Sequence, residues 1–319
     1  MKIKNIILIA ITFVAMSTTA QQERNIAFYN VENLFDTINT PDKNDTEYLP
    51  TAEKKWNTKK YFTKIAHINK VVEELNFPII LGLCEIENEA VVRDIVNGGQ
   101  MKGAYGVVHY ESLDKRGIDN AIIYDSTLMT IIESGILRFD MPEPFSPSRD
   151  IVWAKFKLGD EEIIVMVNHW PSRRGGQPVS EPKRMIAATS AKMYLDSVLT
   201  ASPKAKIIFM GDLNDYPENL APSMISSILK PMITEKSGVY GGSHNYRGEW
   251  NVLDHIMISK GFQTGKVCVK KKSGKIHSFD YLMTEYKGNI IPFRTYGGRK
   301  YLYGYSDHLP VSVDVKIKM

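Results

Sequence analysis

Short apolar segments constrain the fold of this chain more than any other feature of its sequence. Each is four to seven residues long and rich in Val, Ile, Leu or Met, and together they cover residues 26–31, 79–84, 121–124, 151–156, 163–167, 207–210 and 252–258. Segments of this length and composition predict buried strands rather than helices. A further strand is predicted at 311–315, where Val alternates with Ser and Asp.

Two segments carry the pattern of a helix. In the first, an apolar residue recurs every three or four positions, at Tyr61, Ile65, Ile68, Val72 and Leu75. Asn57 or Thr58 can cap the start of this helix, and Pro78 enforces its end. The second helix is predicted over residues 181–199, with Ser180 as its cap and Pro182 in its first turn.

The order of these elements predicts the fold class. Leu158-Gly159-Asp160 joins two strands by a tight turn, so the sheets are expected to be mixed rather than purely parallel. Many strands with few helices predict an α/β (α+β) fold, a four-layered sandwich of two packed mixed β-sheets flanked by helices. No repeat or linker divides the chain, and we expect one domain over residues 21–319. Residues 36–57 and 266–305 are expected to be irregular, and the second of these is basic and aromatic.

The first twenty residues resemble an export signal. Lys2 and Lys4 precede an apolar run at 6–16, which is followed by small residues up to Ala20. This pattern predicts a signal peptide over residues 1–20 and an exported protein, periplasmic or secreted, without a stable membrane anchor. The net charge of +4 is too small to indicate a polyanionic partner by itself. We expect a monomer, and two cysteines are too few for a disulfide framework or a zinc–thiolate site.

Polar side chains follow six of the predicted strands, or precede them, at the point where each strand ends. Buried carboxylates are costly unless a partner or a metal compensates them, and the strand ends of a rigid scaffold are where catalytic groups gather. We therefore expect these six clusters to form one site. They are Asn30 with Glu32, Glu85, Asn168 with His169, Asp212 with Asn214, Asp254, and Asp307 with His308; His255 follows Asp254 on a strand and should point to the opposite face.

In chain order, the motifs FYNVENLFD, LCEIEN, NHWPSRR, MGDLNDYP, LDHIMIS and YSDHLPV resemble those of the endonuclease/exonuclease/phosphatase superfamily. That group includes pancreatic deoxyribonuclease, the abasic-site endonucleases and the neutral sphingomyelinases. The resemblance runs from about Asn25 to Val315. It implies a metal-dependent phosphoesterase in which water attacks phosphorus in line with the leaving group.

The resemblance also implies the metal ligands. Glu85 matches the glutamate that binds the essential divalent cation, and Asp307 matches an acid at or near the same metal. Asn30 and Glu32 match the first motif, although Glu32 can equally be read as a surface charge. An all-oxygen site of this kind suits Mg²⁺, with Mn²⁺ or Ca²⁺ as alternatives.

The catalytic residues implied by the resemblance are His169, Asp212, Asn214, Asp254 and His308. Asp212 matches the aspartate that orients or deprotonates the water, and His308 pairs with Asp254 in a His–carboxylate dyad. Either Asp212 or His308 can serve as the general base, and the sequence does not choose between them. Asn214 and His169 would donate hydrogen bonds to the charge that builds on the phosphoryl group.

The substrate is predicted less sharply than the chemistry. Arg173, Arg174, Arg294 and Tyr305 are candidate substrate-binding residues, because arginines grip phosphates and tyrosines stack on bases. These residues and the export signal favour an endonuclease acting on nucleic acid. The alternative is a phosphatase or phosphodiesterase acting on a small phosphate ester, such as a lipid headgroup, sugar phosphate or inositol phosphate, in a closed pocket around Arg173 and Arg174. A non-catalytic phosphate-binding module is the third possibility.

Overall fold

The computed structural model describes residues 21–318, so the predicted signal peptide lies outside the described residues. The helices are α1 (Thr58–Glu74), α2 (Glu89–Asn97), α3 (Gln177–Ala201) and α4 (Leu220–Ser226). The strands are β1 (Gln21–Leu34), β2 (Ile80–Ile86), β3 (Tyr105–His109), β4 (Asp119–Asp125), β5 (Met129–Leu137), β6 (Ile151–Leu158), β7 (Glu161–His169), β8 (Lys206–Asp212), β9 (Lys230–Pro231), β10 (His244–Tyr246), β11 (Glu249–Asn251), β12 (Asp254–Ile258), β13 (Val267–Val269), β14 (Lys275–Ile276), β15 (Met283–Tyr286), β16 (Asn289–Pro292), β17 (Tyr296–Gly297), β18 (Lys300–Tyr301) and β19 (Val311–Lys318). No helix among residues 21–318 is long and apolar enough to span a membrane.

Two large mixed sheets form the framework of the chain. The first has the strand order β13-β19-β1-β2-β4-β3, and the second has the order β5-β6-β7-β8-β12-β9. Only the β1–β2 and β7–β8 pairs are parallel; the remaining pairs in the two sheets are antiparallel. The prediction of mixed sheets is therefore confirmed, including the hairpin that joins β6 to β7.

The two sheets pack face to face, and helices cover their outer faces. At Gly82 in β2, an added methyl group would lie 2.9 Å from Val167 of β7, so the backbones approach closely between the sheets. The apolar face of α1 packs on the first sheet, while Ala187 and Leu195 of α3 pack on Phe209 of the second. The four layers predicted from the sequence are thus observed. That residues 21–319 make one domain stays a prediction.

The helix boundaries agree with the sequence for α1 but not for α3. The Asn57 side chain accepts a hydrogen bond from the backbone N–H of Lys60, so Asn57 caps α1 as predicted. The start predicted for the second helix was wrong, because α3 begins at Gln177, with Pro178 in its first turn. Ser180 is not a cap: it is buried inside the helix and donates to the Gly176 carbonyl.

The region between β9 and β19 contains three two-stranded hairpins, two of which lie within residues 266–305, where an irregular segment is predicted. They are β10–β11, β15–β16 and β17–β18, each antiparallel. Turns at Arg247-Gly248, Lys287-Gly288 and Gly298-Arg299 close them, with the first two turns using left-handed backbone at both positions. Strands of two to four residues leave little periodicity to read, which is why the pattern was missed.

Candidate active site

The strand topology brings the six polar clusters to one edge of the sandwich. The carboxyl ends of the parallel pair β1–β2 lie at this edge of the first sheet, and those of β7–β8 lie at the same edge of the second. Strands β12 and β19 run antiparallel to β8 and β1, so their first residues come to the edge as well. The site residues placed there are Asn30, Glu32, Glu85, His169, Asp212, Asn214, Asp254, Asp307 and His308.

His308 and Asp254 form a buried dyad. Nδ1 of His308 lies 2.8 Å from Oδ2 of Asp254, and Nε2 of His308 lies 3.7 Å from Oδ2 of Asp212. Burial opposes protonation of His308, but the charges of Asp254 and Asp212 outweigh it and hold the His308 pKa well above its ordinary value. His308 is therefore an imidazolium at neutral pH, which suits a phosphate clamp or a general acid rather than a base.

Asp212 is the ionisable group at the centre of this half of the site. Its Oδ2 accepts a hydrogen bond of 3.0 Å from Nδ2 of Asn30, and its Oδ1 accepts one of 2.8 Å from the backbone N–H of Asn214. Burial raises the pKa of Asp212 to about 7, with His308 lowering it and Asp254 raising it further. A carboxylate that titrates near neutrality is matched to general base catalysis at physiological pH.

His169 completes the second-sheet half of the site as a neutral group. Its Nε2 lies 3.7 Å from Oδ2 of Asp212 and 3.8 Å from Oε1 of Glu85. Burial lowers the pKa of His169 far below its ordinary value, and the nearby cations Arg149 and Arg116 lower it further. A neutral imidazole with its proton on Nε2 can donate a hydrogen bond to a phosphoryl oxygen.

Three carboxylates and an arginine form the first-sheet half of the site. Nε of Arg294 lies 3.0 Å from Oε1 of Glu32, and Nη2 of Arg294 lies 2.9 Å from Oδ2 of Asp307. The backbone N–H of Thr295 donates to the other oxygen of Glu32 at 2.7 Å. Burial, and then the charge of Asp307, raise the pKa of Glu32 to about 7. Like charges thus crowd this half, and Arg294 offsets only part of them.

The backbone of the site is strained where it presents these groups. Four site residues that are not glycine adopt left-handed backbone, with φ of 52° at Glu32, 53° at Asn33, 63° at Glu85 and 49° at Asn214. The pairing of β1 with β2 shifts register between Asn30 and Leu34, and that of β2 with β4 shifts around Glu85. Such bulges re-aim side chains beside active sites, and the surrounding sheet must hold them in place.

The carboxylates of this half fit a divalent cation. Oε2 of Glu85 accepts a hydrogen bond of 2.9 Å from the backbone N–H of Asn33, which leaves Oε1 directed into the site. The charges of Glu32, Glu85 and Asp307 all act on Arg294, so the three carboxylates share one neighbourhood. Oxygen donors with excess negative charge are what Mg²⁺ and Mn²⁺ bind. The three carboxylates Glu32, Glu85 and Asp307 are therefore candidate ligands, and a second group in the site, Asp212, Asp254 and His308, already has one ligand atom of each residue within 4.8 Å of the other two.

Two amide side chains already have hydrogen-bond partners. Asn30 bridges the two halves of the site: Nδ2 donates to Asp212, and Oδ1 accepts from the backbone N–H of Glu32 at 2.9 Å. Nδ2 of Asn214 donates to the carbonyl of Trp170 at 3.0 Å. Asn30 keeps one lone pair on Oδ1 for a metal ion, and Asn214 keeps one N–H of Nδ2 for a phosphate oxygen, so these two predicted roles stay predictions.

The four predicted substrate-binding residues lie in different surroundings. Arg174 is exposed, and Arg294 keeps 45% of its side chain exposed although it pairs with two acids. Arg173 is bound to Oδ1 of Asp215 at 3.0 Å and lies over the ring of Tyr216. The structure does not support substrate binding by the Tyr305 side chain, because it is 9% exposed and its ring stacks on His67 in the core.

Three further residues border the site without belonging to any of the motifs. The ring of His244 lies 4.7 Å from that of His308, and burial and the charge of His308 lower the His244 pKa to about 4. Lys64 of α1 is buried and donates to Thr295 and Tyr305, and burial lowers its pKa to about 8 against the pull of Glu32. Arg149 donates to the carbonyl of Trp170 at 2.8 Å. Lys64 directly precedes Ile65 of the apolar stripe, and none of the three residues lies in a motif, so no sequence signal marked them as site residues.

Comparison with known proteins agrees with this geometry. Residues 25–317 match the Endonuclease/Exonuclease/phosphatase family, and no curated protein matches the chain. A Bacteroides thetaiotaomicron mannosyl-6-phosphatase is 16% identical with a TM-score of 0.61, covering 92% of this chain and 99% of its own. The human nocturnin catalytic domain is 14% identical with a TM-score of 0.56, covering 92% and 94%. A humanized D. rerio TDP2 is 14% identical with a TM-score of 0.56, covering 92% and 98%.

Structural likeness at these identities shows a shared fold, whereas the family match spans nearly all of the described residues. The same residues carry the motifs that meet at one edge of the sandwich. The chain therefore belongs to the endonuclease/exonuclease/phosphatase family of phosphoesterases.

Proposed function

We propose that this chain is a divalent-cation-dependent endonuclease that hydrolyses phosphodiester bonds in nucleic acid. The observation that carries the chemistry is the division of the site into a carboxylate half, with Glu32, Glu85 and Asp307, and a half in which Asp212 lies beside the His308–Asp254 dyad. The first half supplies oxygen ligands for a metal ion, and the second supplies a base, Asp212, and a protonated histidine, His308.

Each protein group has a defined task in this proposal. A divalent cation held by Glu32, Glu85 and Asp307 would polarise a phosphoryl oxygen and stabilise the negative charge of the leaving group. Asp212, ionised above about pH 7, accepts a proton from the attacking water. His308, held as a cation by Asp254, grips a non-bridging phosphate oxygen, and neutral His169 donates a second hydrogen bond.

The preference for nucleic acid rests on a hairpin ridge formed by residues 244–251 and 283–292. The two hairpins adjoin at their turns, because an added methyl group at Gly248 would lie 3.5 Å from the Asn289 side chain. Each carries an exposed tyrosine beside a cation: Tyr246 is 61% exposed next to Arg247, and Tyr286 is 58% exposed next to Lys287. Tyrosine rings stack on bases, and the cations hold the phosphates between them.

The ridge is connected directly to the catalytic groups. His244, the first residue of β10, forms a backbone bridge with His308. Residues 293–295 follow β16 immediately, and Arg294 among them contacts Glu32 and Asp307. A surface that extends away from the scissile bond suits a polymer, because a small ester would end before reaching it.

A small phosphate ester is the second candidate, and a cavity beside Glu32 favours it. The cavity has a volume of about 180 Å³ and is lined by Lys54 and Arg294 together with the aromatic side chains of Tyr48, Trp56 and Tyr296. A space of this size suits a single sugar ring or phosphate group rather than a strand. It does not enclose Arg173 or Arg174, where a closed pocket had been expected for such a substrate.

The test compares plasmid DNA, RNA, a sugar phosphate and a generic aryl phosphodiester, each with Mg²⁺, for the wild type and the Tyr246→Ala/Arg247→Ala variant. We expect turnover of nucleic acid, and a loss in kcat/KM of about 10-fold or more for the variant on DNA with none on the aryl diester. The control is Ile132→Ala/Lys157→Ala, which changes an exposed apolar residue and a cation on the β5–β6 pair. Turnover of the sugar phosphate alone would refute the nuclease proposal.

A further inference from the structure

A second cluster of potential metal ligands lies outside the active site, where β3 passes into β4. His109 is the last residue of β3, Asp119 is the first residue of β4, and Glu111 lies in the loop between them. One ligand atom from each of the three residues lies within 4.8 Å of the other two. Asp119 pairs with Ile86, so the cluster occupies the same edge of the first sheet as Glu85.

Two buried polar atoms in this cluster have no hydrogen-bond partner among the described residues. They are Nε2 of His109 and Oδ2 of Asp119. The His109 side chain is 2% exposed and the Asp119 side chain is fully buried. The two atoms pair with each other, and a buried charged group with so few partners is costly, so their presence requires a reason.

The separation of these two atoms fits a shared metal ion. They lie 3.3 Å apart, and ligand atoms about 2.0–2.1 Å from a tetrahedral Zn²⁺ are separated by roughly 3.3 Å. The other oxygen of Asp119, Oδ1, accepts a hydrogen bond of 3.0 Å from the backbone N–H of Ser112. That bond orients the carboxylate and leaves Oδ2 free, as the outer partners of metal ligands generally do.

Glu111 can supply a third ligand, which the His109–Asp119 pair alone lacks. Its side chain is exposed, so it can approach an ion from the solvent side and leave a position for water. Two carboxylates and an imidazole at this spacing favour a compensating cation, because burial and the charge of Asp119 raise the pKa of Glu111 and so disfavour its ionised form when no cation is bound. Imidazole nitrogen combined with carboxylate oxygen selects Zn²⁺ and related transition ions over Mg²⁺.

We propose that His109, Glu111 and Asp119 form a second metal site, selective for Zn²⁺ or a similar transition ion and separate from the phosphoesterase centre. The ion closes the loop of residues 110–118 by joining its two ends. That loop contains Asp114, whose carboxylate binds Arg149 at 3.0 Å. Arg149 in turn donates to the Trp170 carbonyl, next to His169. The ion therefore has a structural role: it fixes a loop that supports the second-sheet half of the active site.

The test uses the full chain, stripped of metal, supplied with excess Mg²⁺ and then titrated with ZnCl₂. Zinc retained after gel filtration is counted by mass spectrometry, and crystals are measured at the zinc absorption edge. We expect one Zn²⁺ per chain that Mg²⁺ does not displace, with an anomalous peak between His109, Glu111 and Asp119. We expect His109→Gln to lose this zinc and Glu111→Gln to bind it at least ~10-fold more weakly.

The controls separate this site from other histidines and from the phosphoesterase. His277→Gln removes a half-buried histidine whose Nε2 bonds to Ser312, and it should retain the zinc. Because Glu111 is exposed, Glu111→Gln decides the matter even if His109→Gln does not fold. No retained zinc, or equal retention by both cluster variants and the wild type, would overturn the proposal. That result would leave a plain His–Asp ion pair at this position, whatever the outcome for the phosphoesterase.

Discussion

The two halves of the active site solve the problem of buried charge in different ways. In the second-sheet half, each charged group has a protein partner: His308 binds Asp254, and Asp212 receives hydrogen bonds from Asn30 and Asn214. In the first-sheet half, three carboxylates share Arg294 and the charge of the buried Lys64, and Glu32 has its pKa raised to about 7. The first half therefore concentrates carboxylates whose charge a divalent cation would offset, whereas the second pairs its carboxylates with a protein cation, His308.

The backbone shows the same division. Glu32, Asn33 and Glu85 all have left-handed backbone at bulges of β1 and β2. In the second half, His169, Asp212 and Asp254 lie in regular register at the ends of β7, β8 and β12, and Asn214 alone among its named residues has left-handed backbone. Strain held at a site is commonly part of its preorganisation. Experiments on each half in turn test whether this division is functional.

The largest effect is expected from Glu85→Gln, which removes one charge from the carboxylate half. We expect hydrolysis to fall by at least ~10⁴-fold, because the cation would otherwise supply several kcal/mol of charge stabilisation. Steady-state rates at saturating Mg²⁺ measure it. The matched control is Glu87→Gln, two residues along the chain, where the carboxylate accepts from the Asp36 N–H and Thr40 hydroxyl and lies outside the proposed cation site. An equal loss in both variants would show that Glu85 does not act as a ligand of the divalent cation.

His308→Ala tests the second half and is expected to lower kcat by about 10²- to 10⁴-fold, as the loss of a clamp or acid group does. Affinity for Mg²⁺ should change little, because the His308 partners are Asp254 and Asp212 rather than the carboxylate ligands. The control is His255→Gln, a buried histidine that bonds to the Asp215 carbonyl instead. A rate for His308→Ala near that of the wild type would contradict the assignment.

The pH dependence distinguishes the two candidates for the general base. If Asp212 is the base, kcat/KM rises about tenfold per pH unit in acid and levels off at or below about pH 7, because a bound cation favours the carboxylate. Activity then declines only at high pH, where His308 loses its proton. If neutral His308 were the base, activity would instead keep rising in the alkaline range.

The smallest effect is expected on stability. Glu32 has a folded-state pKa of about 7 against an ordinary value of 4.5, so it favours the folded state most when protonated. That contribution is present below about pH 4.5 and is lost as the pH rises to 7. Without divalent cation, Tm should fall by on the order of a few °C between pH 5 and pH 8, and Mg²⁺ should reduce the fall. The Tm of Glu32→Gln should fall less over this pH range, and a fall equal to that of the wild type would show that Glu32 does not titrate there.

The sequence predicted the framework of the fold because strand signals are local. The apolar runs that become β2, β7 and β8 read as buried strands, and the two packed sheets follow from their number and spacing. The start of α3 was missed for a local reason. Ser180 is a residue type that commonly caps helices, but Pro178 fits the first turn of a helix, and α3 begins earlier, at Gln177.

The site was predictable to the extent that its residues lie at strand ends. His308 and Asp254 are 54 residues apart and meet as expected, at 2.8 Å. Lys64, His244 and Arg149 could not be found, because each reaches the site from a helix, a short hairpin or a loop with no motif around it. Tyr305 lies in the last motif, and its aromatic neighbours suggested a binding surface, but the His67 and Tyr281 rings bury it, so the structure does not support that role.

The division of the site into two halves is tested most directly by calorimetric titration of Mg²⁺ into the wild type, Glu85→Gln and His308→Ala. We predict that Glu85→Gln binds Mg²⁺ at least ~10-fold more weakly, while His308→Ala binds it as the wild type does and is impaired only in turnover. If His308→Ala weakens Mg²⁺ binding as much as Glu85→Gln does, the two halves are not separate and the account is contradicted.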